Sequence, residues 1–151
     1  MRRHRGGRGR YVAVAGLPGV AGALVFTGVY LAVRERLPQP LASHVGPGGR
    51  PDDFMSQGGF VATAVAVQLG MALLFAVLAR HVPDRDSGPR TLAVTGAGTG
   101  PFLCVLMAQV LLAQADVSDA RDMVFPGWYL ATAAVPAAVG AATGWALTRH
   151  R

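Results

Sequence analysis

The sequence is poor in charged residues, and it lacks lysine, asparagine and isoleucine altogether. Only 15% of its 151 residues are charged, whereas soluble domains of this size carry about a quarter. The single cysteine, Cys104, excludes a disulfide framework, and no Cys/His spacing is typical of a structural zinc site. The shortage of charge therefore excludes an ordinary soluble domain.

Four uncharged stretches fill most of the chain, and each is long enough to cross a bilayer. A hydrocarbon core about 30 Å thick needs roughly 20 helical residues. Helices satisfy every backbone group in lipid, and no alternation of apolar and polar residues favours a barrel. The sequence therefore predicts an all-α integral membrane protein with a four-helix transmembrane domain over residues 11–147. Its predicted spans cover residues 11–33, 60–79, 91–113 and 126–147.

The distribution of arginine predicts the orientation of these spans. Ten of the 14 arginines lie in the tails, residues 1–10 and 148–151, and in the middle loop, residues 80–90. The positive-inside rule then places both termini in the cytoplasm of a multi-pass protein of the cell membrane. The first span is too long for a signal peptide, so we expect it to stay in the protein. The net charge of +6 is interpreted as an orientation signal and contact with anionic lipid, so we expect no nucleic acid partner.

The predicted spans contain no Asp, Glu, Lys, Arg or His. Pumps and proton relays place such groups inside the bundle, so their absence disfavours a proton-coupled transporter and leaves a passive pathway open. Gln68 and Gln109 remain as polar groups, and hydrogen bonding between helices is favoured for them over a ligand site.

Small residues and prolines in the spans predict helix contacts and kinks. Two Gly-x-x-x-Gly pairs permit close approach of helix backbones, either within the bundle or in a homo-oligomer. The pairs are Gly96 with Gly100 and Gly140 with Gly144. Prolines interrupt the helical hydrogen bonds of three spans and are expected to kink them. These prolines are Pro18, Pro101 and Pro136.

The first outer loop, residues 34–59, is rich in proline and glycine. This composition excludes a long helix and favours a series of turns with a fixed shape. Its segment Leu37–Asp52 resembles a bacterial family of membrane domains of unknown function with the signature Leu-Pro-x-x-(Ile/Val)-Pro-x-His-x-x-x-x-Gly-x-Pro-Asp. The same domain forms the amino-terminal part of the sporulation-delay toxin immunity proteins. The signature falls on Leu37, Pro38, His44, Gly49, Pro51 and Asp52, whereas Ala42 replaces its second Pro and Gln39 stands where the family usually has Asp.

The resemblance implies an integral membrane protein, tied in some members to toxin immunity and its signalling. We therefore expect a non-enzymatic protein without a cofactor that recognises a peptide or membrane-protein partner at its outer face. Immunity and envelope sensing are both compatible with this expectation. Two alternatives stay open, a small transport or channel subunit and a metal-assisted membrane enzyme at His44.

His44 and Asp52 are the chemically active candidates of this loop. We expect them to hold the loop by hydrogen bonds to backbone groups, as Asp side chains often do in turns. Recognition of a partner and a site with a metal ion are the other interpretations, and a single histidine disfavours the metal. In the third loop, residues 114–125, Asp116, Asp119 and Asp122 are predicted to lie on the same membrane face, near His44 or Arg50.

Overall fold

The structure, a computed structural model, describes residues 4–83 and 87–149 and is helical except for one small β-hairpin in the first loop. Four of its helices are long and apolar enough to cross a membrane, which confirms the predicted all-α fold with four transmembrane helices. These are α1 (His4–Val33), α2 (Gln57–His81), α3 (Gly88–Leu112) and α4 (Trp128–Arg149). Strands β1 (Leu41–Val45) and β2 (Pro51–Met55) form the hairpin.

Helices α1 and α2 extend beyond the predicted spans, most clearly at the N-terminus of α1, whereas the ends of α3 and α4 differ from the prediction by three residues or fewer. Helix α1 begins at His4 and so includes most of the segment 1–10 that the sequence presents as a basic tail. Arginine is a good helix former, and no proline precedes Pro18, so the helix continues past its apolar part. Helix α2 begins after Ser56, whose hydroxyl accepts a hydrogen bond from the Gly59 N–H at 3.1 Å as an N-cap.

Helices α1 and α3 form the central pair of the bundle, and they meet at glycines. A Cβ atom at Gly96 would lie 2.5 Å from the carbonyl oxygen of Ala15, and one at Gly100 would lie 2.6 Å from the backbone nitrogen of Gly19. Both contacts leave no room for a side chain. Because residue numbers rise together along the two helices, α1 and α3 run parallel.

Helix α4 packs against α3 through the second glycine pair. A Cβ atom at Gly140 would collide with the carbonyl oxygen of Ala97, and one at Gly144 would lie 2.8 Å from the Cβ of Ala97. Pro101 has no N–H to donate to that same Ala97 oxygen, so the proline and the glycine act at one place. The two Gly-x-x-x-Gly pairs therefore serve packing inside the bundle and are not free for contacts between copies.

Helix α2 completes the bundle by packing antiparallel on α1 and against α3. Gly19 faces Ala72, and Gly22 faces the side chain of Gln68. The starts of α1 and α3 and the ends of α2 and α4 consequently lie at one end of the bundle, here called the termini end. The hairpin lies at the opposite end, here called the hairpin end.

The outward faces of the helices are apolar. Leu24 is 71% exposed, Leu73 is 65% exposed and Val135 is 64% exposed, and other large apolar side chains surround them. Lipid tails accept such side chains, whereas water does not, so these faces suit a bilayer. The fold is therefore that of a membrane-embedded helical bundle.

We expect Gly96→Ala to destabilise the bundle by about 1–3 kcal/mol, because the added methyl group overpacks the α1–α3 contact. Gly70→Ala is the matched control, since nothing lies within 4 Å of a Cβ atom at that helical glycine. The measurement is the thermal unfolding midpoint of the purified protein in detergent. Equal midpoints for the two variants would contradict the proposed close contact.

Candidate functional site

The first loop, residues 34–56 between α1 and α2, contains a β-hairpin where the sequence predicts only a series of turns. Strands β1 and β2 pair antiparallel, with Leu41 opposite Met55 and Val45 opposite Pro51. Proline is tolerated here because Pro51 is the first residue of its strand. The sequence gives only a weak signal for these two strands, since each has five residues and a proline- and glycine-rich turn separates them.

Gln114, which directly follows helix α3 and its C-cap, attaches strand β1 to the bundle. Its Oε1 accepts a hydrogen bond from the Ala42 N–H at 2.6 Å, and its Nε2 donates to the Ala42 carbonyl at 3.3 Å. Nε2 also donates to the Val110 carbonyl at 3.0 Å, and the whole residue is buried. The side-chain amide thus satisfies both backbone polar groups of Ala42, in the way that a residue on a neighbouring strand would. Sequence reasoning missed this residue.

A second glutamine anchors the segment that precedes the hairpin. Gln57, at the start of α2, donates from Nε2 to the carbonyl of Leu37 at 3.1 Å and to that of Pro38 at 3.4 Å. The Leu37 side chain is buried in the apolar cluster at the hairpin end of the bundle. The first two residues of the signature are therefore structural.

The tip of the hairpin is attached to the third loop at Gly49. The Phe125 N–H donates to the Gly49 carbonyl at 2.8 Å. Gly49 has a φ of +78°, and a Cβ atom there would lie 2.5 Å from the Phe125 carbonyl oxygen. Both the backbone conformation and the close approach require glycine at this signature position.

His44 and Asp52 bond to each other across the hairpin. The distance from His44 Nδ1 to Asp52 Oδ1 is 2.6 Å, and the side chains are 68% and 52% exposed. This differs from the expectation that each would bond to backbone groups. The bulged register of the two strands brings their side chains together, since His44 is paired with Asp53 in the ladder. The pair lies on the outer surface of a hairpin that is fixed at three points.

Two of the three aspartates of the third loop bond to arginines. Asp116 forms a two-point ion pair with Arg36, with 2.8 Å between Oδ1 and Nε, and its N–H donates to the Arg36 carbonyl at 2.9 Å. The hydrogen bond from Arg36 lowers the pKa of Asp116 below its usual range. Asp119 accepts from the Arg121 N–H at 2.9 Å, and this bond lowers the pKa of Asp119. Asp116 and Asp119 thus have arginine partners, and the proximity of the third-loop aspartates to His44 or Arg50 stays a prediction.

The polar residues within the bundle take different roles. Gln109 of α3 donates to the Thr132 hydroxyl of α4 at 2.7 Å, so it links two helices. Gln68 instead bonds within its own helix, to the Ala64 carbonyl at 3.4 Å. Its Oε1 is buried without a hydrogen-bond partner in the described part of the chain.

Metal-ligating side chains do not gather in threes anywhere in residues 4–83 and 87–149. His44 and Asp52 are thus a pair, whereas catalytic zinc sites use three protein ligands. The exposed side chains of His44 and Asp52 can take part in hydrogen bonds and charge interactions at the hairpin.

These features define a class, a multi-pass α-helical membrane protein that carries a fixed extramembrane hairpin at one end of its bundle. No family model, curated protein or solved structure matches the chain.

We expect Gln114→Ala to release strand β1, because the buried Ala42 N–H and carbonyl would lose their partner at a cost of about 1–3 kcal/mol. Hydrogen exchange of the hairpin amides, measured by mass spectrometry in detergent, should accelerate. Gln39→Ala is the control, since Gln39 is an exposed glutamine of the same loop. Unchanged exchange in Gln114→Ala would contradict the proposed attachment.

The ion pair of Asp116 and Arg36 should persist in moderate acid. Because the pKa of Asp116 is lowered in the folded protein, the pair stabilises the fold above the ordinary range of aspartate, near pH 4. That stabilisation is lost only as the pH falls through the lowered pKa. The carboxyl carbon of Asp116, followed by NMR in micelles, should therefore titrate at lower pH than that of an unstructured peptide. Arg36→Gln should return it to the ordinary range, and an ordinary titration in the unmodified protein would contradict the pair.

Proposed function

We propose that the chain is a non-enzymatic recognition protein of the cell membrane, with both termini in the cytoplasm. Its hairpin end binds a peptide or another membrane protein on the outer side. The proposal rests on the pair of His44 and Asp52, which is more than half exposed although the hairpin that carries it is fixed to the bundle.

The fixed shape of the hairpin supports a binding role. Gln57, Gln114 and the contact of Gly49 with Phe125 attach it at three separate points. A surface that is already ordered loses little conformational entropy when a partner binds. The hairpin is also held at the ends of membrane helices, so a partner in or near the bilayer meets it in one orientation.

The composition of the exposed surface suits a polar partner. Arg50 and Asp53 are exposed on the hairpin together with His44 and Asp52. This set offers both hydrogen-bond donors and carboxylate acceptors within one small surface. Such a mixture favours recognition of polar or charged side chains over burial of an apolar ligand.

The positions of the signature residues support immunity or envelope sensing as the biological context. Leu37 is buried, Gly49 makes the contact that only glycine allows, and Pro51 opens strand β2. The remaining signature positions include the exposed pair. The signature thus corresponds to a shape with two side chains displayed on it, which is what a recognition loop needs.

The charges of the two ends support the proposed orientation. Every Asp and Glu that the structure describes lies at the hairpin end. The termini end carries arginines, among them Arg80, Arg90 and Arg149. Arginine near helix ends is retained on the cytoplasmic side, so the hairpin end faces outward.

A photo-crosslinking residue at position 47, at the exposed tip of the hairpin, tests the proposal in growing cells. Position 47 is exposed and so leaves the probe free to reach a partner. Val45, two residues before it, packs against an apolar cluster beneath the hairpin and is less suitable. We expect a discrete crosslinked product that the double change His44→Ala and Asp52→Ala removes and that Gln39→Ala leaves unchanged. A product that is insensitive to the double change would refute the role of the pair, and the absence of any product would refute the binding role.

The immunity version has its own test. Cells that are sensitive to candidate toxic peptides should survive better when they express the chain, and His44→Ala should reduce that survival. Membrane levels of each variant are measured alongside, so that a failure to accumulate is distinguished from a loss of recognition. No protection against any of the peptides would remove immunity and leave the crosslinking result to decide on recognition.

A further inference from the structure

Arg90, near the start of α3 at the termini end, has a guanidinium group that no acidic side chain in residues 4–83 and 87–149 neutralises. Its Cζ lies 3.5 Å from the centre of the Trp145 ring, so the group is stacked on α4. Its Nε and Nη2 are shielded from solvent and have no hydrogen-bond partner in the described part of the chain. Shielded donors without an acceptor are unfavourable, and a guanidinium stays charged. The site therefore favours an anionic acceptor.

An apolar groove of about 280 Å³ lies between α1, α3 and α4. Leu17 of α1 and Leu147 of α4 form part of its wall, and they are 64% and 54% exposed toward the surroundings of the bundle. Gly140 and Gly144 contribute no side chains, which keeps the groove open on the α4 side. Its lining and its exposure to lipid suit a hydrocarbon chain.

Helical spacing places Arg90 in line with this groove. Arg90, Ala97 and Pro101 follow one another at seven and four residues and so share a face of α3. Ala97 and Pro101 line the groove, and Arg90 lies about 10 Å from Ala97 along the helix axis, toward the termini end. Arg10 is likewise seven residues before Leu17 on α1. Arginines thus occupy the same end of the groove on two of its three helices.

We propose that Arg90 and this groove together bind one anionic phospholipid, with the phosphate group at the guanidinium and an acyl chain in the groove. The guanidinium keeps its positive charge and so attracts the phosphate group, and the stack on Trp145 holds it in place. No described Asp or Glu lies at the termini end to compete for Arg90. The lipid enters sideways from the bilayer, where anionic headgroups are already concentrated near basic segments.

Native mass spectrometry of the full chain in neutral detergent tests the proposal, with phosphatidylglycerol, phosphatidylcholine and inorganic phosphate as separate probes. We expect one retained phosphatidylglycerol and weaker retention of phosphatidylcholine. Arg90→Gln should raise the Kd for phosphatidylglycerol by about tenfold, the effect of losing a charge-assisted contact. Thr143→Phe, which fills the groove from a lining position, should have a similar effect.

Matched controls separate the site from general lipid contact. Arg34→Gln removes an exposed arginine at the hairpin end, and Val139→Phe adds the same bulk at a position of α4 that is 61% exposed and outside the groove lining. Both should bind like the unmodified protein, and unchanged unfolding midpoints without lipid show that every variant is folded. Equal Kd values in Arg90→Gln and Arg34→Gln would overturn the phosphate contact. Equal Kd values in Thr143→Phe and Val139→Phe would overturn the acyl site, and retention of free phosphate alone would replace the lipid by an ion.

Discussion

The close parallel contact of α1 and α3 is the constraint on which the rest of the structure depends. In lipid no hydrophobic force draws helices together, so association requires backbones that approach closely. Gly96 and Gly100 provide that approach, because their missing side chains leave α1 in contact with the backbone of α3. Once these two helices are parallel and in register, their last residues lie side by side. The segments that follow α1 and α3 must then meet at the hairpin end, and that meeting forms the candidate site.

The attachments of the hairpin to the bundle follow from the proximity of the segments after α1 and α3. Ala42 comes after α1 and Gln114 after α3, and the hydrogen bonds between them join the two segments. The same holds for Arg36 and Asp116. An isolated two-stranded hairpin is marginal in water, so its order here depends on these attachments. A few polar groups at helix ends thus convert a helical contact inside the membrane into a fixed shape outside it.

The sequence predicts what is local and misses what the register creates. Span length and the absence of charge predict the four helices. Gly140 and Gly144 predict a close helix contact but do not indicate which helix packs against them. Gln114 cannot be recognised in advance, because its partner Ala42 is 72 residues away and is defined only by the parallel register. The hairpin is not predicted for a different reason. In five-residue strands the alternation of apolar and polar residues is too short to be recognised within a proline-rich loop. Gln68 shows the converse, because a buried polar residue in a span bonds within its own helix as readily as between helices.

The two ends of the bundle differ in how their charges are balanced. At the hairpin end Arg36 pairs with Asp116, Arg121 pairs with Asp119, and His44 pairs with Asp52. Those pairs are exposed and contribute little stability, and at that end four arginines face six carboxylates. At the termini end the structure describes no acidic side chain. Arg90 there is stacked on the ring of Trp145. In the orientation that we propose, the cytoplasmic leaflet would offer anionic headgroups to the arginines of the termini end.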